Sequence, residues 1–196
     1  SQLLPTVFKN DDPKPALAVC SPNTGDGKSY FAANLAIAFS QLGGRTLLLD
    51  ADVRSPRQHE IFGLPNEHTN NGLSGVLAGR AQSNVIRPID ALSSLYIMPV
   101  GVVPPNPLEL VQKPTFDILL NELVRKFDYV IVDTPAAEHG ADARVIAAKC
   151  GAAIALCRQG KTSAKALQSL VKSLKSSGTQ FAGTIMNSYT GSGRRK

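Results

Sequence analysis

Apolar residues in this chain fall into short continuous runs, separated by longer stretches in which they recur every three or four positions. Residues 15–20, 45–50, 95–99, 129–133, 152–157 and 181–186 are runs of strand length. Such runs suit strands covered on both faces. Between them, 29–42 carries Phe31, Leu35, Ala38 and Leu42 at helical spacing and stops at Gly43-Gly44. A segment opening at Pro114 carries Leu119, Leu120, Leu123, Val124 and Phe127, and 163–176 carries Leu167, Leu170, Val171 and Leu174. Residues 71–79 read as a two-turn helix between glycines, 54–63 as a loop and short helix, and 101–107 as a proline-rich loop. Strands and helices alternate, which predicts an α/β fold with a doubly wound, mostly parallel sheet, flanking helices and right-handed crossovers. The expected organisation is a linker or trimmed N-terminus at 1–14, one domain over 15–188 and a flexible basic tail at 189–196.

The junction between the first strand and the first helix carries the chemistry. Cys20-Ser21-Pro22-Asn23-Thr24-Gly25-Asp26-Gly27-Lys28-Ser29 reads as a phosphate-binding loop, so the fold is expected to be of the P-loop NTPase type. Gly25 and Gly27 let the backbone approach a phosphate, the amides at the helix start point at it, Lys28 adds a mobile cation, and Ser29 offers a hydroxyl to Mg2+. The usual pattern is G-x-x-x-x-G-K-[ST], and here Pro22 holds the first glycine position.

Two further strands end in acids. Asp50 and Asp52 follow the second strand, and Asp133 ends the clearest buried run, Tyr129-Val130-Ile131-Val132-Asp133. Open parallel sheets bind ligands beyond the carboxyl ends of their strands, so these acids belong to the same edge as the loop. A strand-terminal aspartate there can hold the water shell of a Mg2+ that bridges phosphates. Asp142 reads as a helix cap and His59 as a surface histidine without a catalytic partner.

Composition narrows the class further. The 196 residues are 43% hydrophobic, enough for one well-filled α/β core. No apolar run reaches the ~20 residues needed to span a bilayer, and the first residues have no signal-peptide pattern. Cys20, Cys150 and Cys157 lie in or beside apolar runs without metal-ligand spacing, which fits buried thiols in a reducing cytoplasm. The net charge of +6 is uneven. No Asp or Glu follows Asp142, while residues 143–196 carry ten of the 21 Lys and Arg residues. That quarter is a basic surface suited to an anionic partner, or simply a solvated helix face.

Together these segments resemble the bacterial tyrosine kinases attached to exopolysaccharide and capsule chain-length regulators. Residues 21–29 match Walker A, 47–54 the additional Walker A′ motif of that family, and 130–135 Walker B. Gly72-Leu73-Ser74 with Val76-Leu77-Ala78-Gly79, and Pro104-Pro105-Asn106-Pro107 with Glu109-Leu110, resemble its intervening segments. The resemblance implies an ATP- and Mg2+-dependent autokinase. Its nucleotide site would use Thr24, Gly25, Asp26, Gly27, Lys28, Ser29 and Tyr30, with Asn187 reading adenine and Arg158 near the base. Ser29, Asp52 and Asp133 would support the metal. Lys28, Asp50 and Asp52 would carry catalysis, with Asp50 the first candidate to orient a tyrosine hydroxyl and Asp52 the alternative. The resemblance also implies self-association, as a ring in such enzymes, activation by the cytosolic segment of a membrane chain-length regulator, protein tyrosine substrates and a cytoplasmic place at the inner face of the membrane. No nucleic-acid partner is implied.

Two departures stand out. The family carries a tyrosine cluster in its tail, whereas this chain has Tyr30, Tyr96, Tyr129 and Tyr189, of which only Tyr189 lies near a tail. An arginine-containing N-terminal assembly helix is not visible in 1–14. A regulatory P-loop ATPase of polysaccharide export with weak kinase activity is therefore one alternative. A partitioning or division-site ATPase is another, although its second loop lysine would fall at Asn23. A dinucleotide-dependent oxidoreductase fits less well, because the third fingerprint glycine would fall at Tyr30 and Lys28-Ser29 would go unexplained.

Overall fold

The computed structural model describes residues 15–65, 70–80 and 83–188. Seven strands form one sheet: β1 (Ala16–Cys20), β2 (Thr46–Asp50), β3 (Arg87–Ile89), β4 (Leu92–Met98), β5 (Tyr129–Asp133), β6 (Gly151–Arg158) and β7 (Gln180–Asn187). Their spatial order is β3-β4-β2-β5-β1-β6-β7. All neighbours are parallel except β3 and β4. The helices are α1 (Lys28–Gln41), α2 (Gln58–Ile61), α3 (Leu73–Leu77), α4 (Pro107–Gln112), α5 (Pro114–Lys126), α6 (Asp142–Cys150) and α7 (Ala164–Ser176), with a 3-10 turn at Ala137–His139.

The central strands are apolar throughout because both faces are covered, and their pleat divides the core in two. On one face Ala16, Ala18 and Cys20 of β1, Leu47 and Leu49 of β2, and Val130 and Val132 of β5 meet α3 through α7. On the other, Leu17, Val19, Leu48 and Ile131 meet α1. The fully buried apolar stripe of α1 is Ala32, Ala33, Ala36 and Phe39; of the expected Phe31, Leu35, Ala38 and Leu42, the first two pack half-buried beside that stripe and the last two are exposed. Leu42 is 61% exposed. Small alanines let the helix lie close to the sheet, and Phe39 stacks on Tyr129 at a centroid distance of 4.7 Å. The larger side chains flank that contact.

Two elements go beyond the sequence expectation. β3 contains Pro88, which is tolerated because β3 is the edge strand of the sheet among the described residues. α4 starts with Pro107 at its first turn inside the proline-rich stretch. Expectations for 1–14, for the tail and for Tyr189 lie outside the described residues. All three cysteines are buried and unbridged, and burial pushes the Cys20 thiol up to about 11. Among the described residues no helix is long and apolar enough to cross a membrane.

Candidate active site

Parallel register brings the acids together. Asp50 and Asp133 are partners at the carboxyl ends of adjacent strands β2 and β5, and β1, on the other side of β5, feeds the phosphate loop. The loop turns through Gly25 and Gly27, both with positive φ, and α1 starts at Lys28. A Cβ on Gly27 would push aside the Asn187 side-chain amide at the end of β7, and the positive φ there favours glycine.

Lys28 is only 6% exposed and lies between acids, with Nζ 2.7 Å from Asp133 Oδ1 and 3.7 Å from Asp52 Oδ2. Burial opposes its charge, but the attraction of Asp133 and Asp52 outweighs burial and raises its pKa above the ordinary lysine value. Asp50 is fully buried. Its Oδ1 accepts from the Asp52 amide at 3.1 Å, and its Oδ2 accepts from the Arg57 and Gln58 amides at 3.2 and 3.0 Å. Burial, and then the charge of Asp133, push Asp50 well above the usual carboxylate range. Asp52 Oδ1 accepts from the amides of Arg54 and Ser55 at 3.3 and 3.0 Å, so both Walker A′ acids also brace their own loop.

Lys28 and Asp52 line a cleft of about 290 Å3 with the phosphate loop, Ser29, Tyr30, Ser55, Arg57, His139, Arg158 and Asn187. Asp50 and Asp133 are fully buried and lie behind Lys28 and Asp52 rather than in the lining. Most of the anticipated residues therefore converge on one site, although several use their side chains differently from expectation. Asp26 is a loop brace, with Oδ2 accepting from the Asn23 amide at 2.9 Å and Oδ1 from the Thr162 hydroxyl at 2.7 Å. Arg158 Nη1 donates to the Gly25 carbonyl at 3.0 Å, and Asn187 Nδ2 donates to the Asp26 carbonyl at 3.1 Å. The Thr24 amide donates to Glu138, and the Thr24 hydroxyl lies 2.8 Å from His139 Nε2. Hydrogen bonds from Thr24 and Asn23 lower the Glu138 pKa.

Asp142 requires a correction. It is the first residue of α6 rather than its cap, and it pairs with Arg54 Nε at 3.0 Å while almost fully buried. The pair ties the Walker A′ loop to α6. Sequence patterns also left Gln58, Glu138, His139 and Thr162 without roles, since each sits in a loop or short element with no period. Only their distance along the folded chain from the loop they touch reveals them.

The donor set suits Mg2+ held jointly with phosphates. Among the described residues no three His, Cys, Asp or Glu side chains are arranged to hold a metal alone. Mg2+ commonly takes one or two carboxylates and otherwise water and phosphate oxygens, which Ser29, Asp52 and Asp133 around Lys28 can accommodate.

The comparisons agree with this geometry. Residues 17–196 match the CobQ/CobB/MinD/ParA nucleotide binding domain. The chain is 32% identical over 175 residues to a putative tyrosine-protein kinase CapB of Staphylococcus aureus, covering 88% of this chain and 74% of that protein. The chimerical protein CapA2B2 superposes with a TM-score of 0.86 at 29% identity, over 95% of this chain and 80% of that one. The kinase domain of Escherichia coli tyrosine kinase ETK gives 0.83 at 27% identity, over 95% and 74%. With its loop, paired strand-end acids and doubly covered parallel sheet, the chain belongs to the CobQ/CobB/MinD/ParA nucleotide-binding family and, within it, to the bacterial tyrosine-protein kinases.

Proposed function

We propose that this cleft binds Mg-ATP and transfers the γ-phosphoryl group to a protein tyrosine, in a pathway of exopolysaccharide or capsule export. The observation that carries the reading is the buried Lys28 held between Asp133 and Asp52 directly behind the phosphate loop. A lysine parked on carboxylates is ready to move to phosphate oxygens when nucleotide enters, leaving the acids free to face Mg2+ and its water. Mg2+ would neutralise charge on the phosphates, with Ser29, Asp52 and Asp133 as its protein neighbours. Asn187 and Arg158, at the ends of β7 and β6 and lining the same cleft, are the residues this reading assigns to the base end of the nucleotide. Asp52 lines the cleft whereas Asp50 lies beneath its wall, which favours Asp52 for first contact with an incoming hydroxyl and gives Asp50 the role of shaping the Walker A′ loop. A phenol has a pKa near 10, so the carboxylate orients the hydroxyl and accepts its proton late, while positioning supplies most of the acceleration.

The exposed lysines of α7, Lys165, Lys172 and Lys175, fit the proposal that an anionic cytosolic segment of a membrane chain-length regulator docks nearby and holds the enzyme at the inner face of the membrane. Self-association and phosphorylation of Tyr189 belong to the same proposal. A partitioning-type ATPase is disfavoured by Asn23, whose amide bonds to Glu138 at 3.4 Å where that reading needs a lysine.

The test compares Asp52→Asn with Asp50→Asn for ADP affinity and for phosphoryl transfer to a tyrosine peptide. Removing a base or metal-orienting carboxylate should lower transfer by roughly 10²-fold while ADP affinity changes about threefold or less. Wild-type transfer in Asp52→Asn would remove that residue from the mechanism.

A further inference from the structure

Gln58 belongs to no motif, yet it is fully buried and hydrogen-bonds to Asp50, Ser29 and Asp133. It opens the four-residue α2 immediately after the Walker A′ loop. Its backbone amide donates to Asp50 Oδ2 at 3.0 Å. Its side-chain Nε2 donates to the Ser29 carbonyl at 3.0 Å and to Asp133 Oδ2 at 2.7 Å. One residue thus joins the end of β2, the end of β5 and the first turn of α1. Both side-chain partners are acceptors, which fixes the orientation of the amide, because a flipped group would set oxygen against oxygen. Its Oε1 is buried and has no hydrogen-bond partner among the described residues. Buried amide oxygens are rarely left in that state, and an acceptor of this kind at a functional edge is suited to a water that arrives with a ligand.

Asp133 is therefore gripped from two sides, Oδ1 by Lys28 and Oδ2 by Gln58. The two grips differ in permanence. Lys28 is the group that phosphate would draw away, whereas Gln58 is neutral, fixed by packing and bonded on both Nε2 hydrogens. We propose that Gln58 is a positioning residue for the metal: it fixes the Asp133 carboxylate with Oδ2 occupied, so that only Oδ1 becomes free when nucleotide engages Lys28, and it offers Oε1 to a water of the Mg2+ shell. With Mg2+ bound, Asp133 would then have one oxygen to offer the metal's surroundings, and the link through the Ser29 carbonyl would keep the Ser29 end of the site in register with it. This rests on the nucleotide-site reading above.

Gln58→Met keeps the length and removes both donors and the acceptor. Gln58→Asn keeps the polarity but is one carbon too short to span Ser29 and Asp133. The experiment measures ADP affinity by calorimetry with and without Mg2+ for wild type and both variants, alongside thermal unfolding. Wild type should bind ADP more tightly with Mg2+. In both variants metal-free affinity should stay within about twofold of wild type, while the tightening by Mg2+ should shrink by roughly tenfold, the size of loss seen when outer-shell partners of a metal site are removed. A purely structural Gln58 would instead lower unfolding temperature and weaken ADP equally with and without the metal. That result, or undiminished Mg2+ tightening in either folded variant, overturns the proposal. A wild type that binds no ADP, or binds it without regard to Mg2+, overturns the nucleotide-site reading itself and this inference with it.

Discussion

Replacing Lys28 by methionine removes the one buried cation of the site at nearly constant volume, and its effect can be worked out before any nucleotide is added. In the native chain Lys28 offsets Asp133 at 2.7 Å and Asp52 at 3.7 Å, with Asp50 buried beside them. Removing one partner of a buried pair leaves charge uncompensated and costs about 3 kcal/mol. For a domain of this size that lowers the unfolding temperature by roughly 6–12 °C. The pH dependence identifies the cause. Lys28 has a pKa raised on folding, so its contribution is complete at neutral pH and is lost only as pH rises through its folded value, above 10.5. In Lys28→Met, Asp50, already held well above the usual carboxylate range by burial and by Asp133, loses a nearby cation that favours its charged form, so protonating it on acidification relieves part of the loss. Stability of the variant should then recover on acidification by up to about 1.4 kcal/mol per pH unit. Thermal unfolding without nucleotide or Mg2+, near pH 8 and near pH 6, should show a larger deficit at the higher pH than at the lower. Equal unfolding temperatures at the higher pH would mean that the lysine is not buried among these acids. A deficit unchanged by pH would mean that lost packing rather than charge is responsible.

The glycines of the loop should separate by consequence. Gly25→Ala places a Cβ in open space at positive φ and should cost about 1 kcal/mol of strain, whereas Gly27→Ala carries the same strain and also displaces the Asn187 amide from the Asp26 carbonyl, so it should weaken ADP binding more than Gly25→Ala does, as equilibrium dialysis would show. Arg54→Ala leaves Asp142 buried without its ion-pair partner, with Oδ1 already unpaired. Arg54 is itself one-third exposed, which discounts the loss to about 2 kcal/mol, read as a fall in denaturation midpoint that Arg54→Ala paired with Asp142→Asn should partly restore.

The strands were legible because their burial on both faces leaves an apolar run, and the strand-end acids were legible because a carboxylate closing such a run needs a reason. Asp50, Asp52 and Asp133 follow from that logic, and Lys28 and Ser29 from the Gly-Lys-Ser pattern between a strand and a helix. The buried face of α1 did not, since Leu35 and Leu42 catch the eye while the sheet selects Ala32, Ala33 and Ala36 for their small size. β3 was hidden by Pro88, which reads as a breaker until an unpaired edge accommodates it. Asp142 looked like a cap because local spacing cannot show Arg54, which reaches it from another loop. Gln58 and Glu138 were silent for the same reason: their partners lie 75 and 114 residues away along the chain.

The most direct measurement is mass spectrometry for phosphotyrosine after the purified chain is incubated with Mg-ATP and a tyrosine peptide, with Lys28→Met as control. Phosphate on the peptide or on Tyr189, absent with the variant, is the predicted result. ATP bound or hydrolysed with no phosphotyrosine, even when an anionic cytosolic segment of a chain-length regulator is added, would contradict the kinase assignment and leave a nucleotide-dependent regulator in its place.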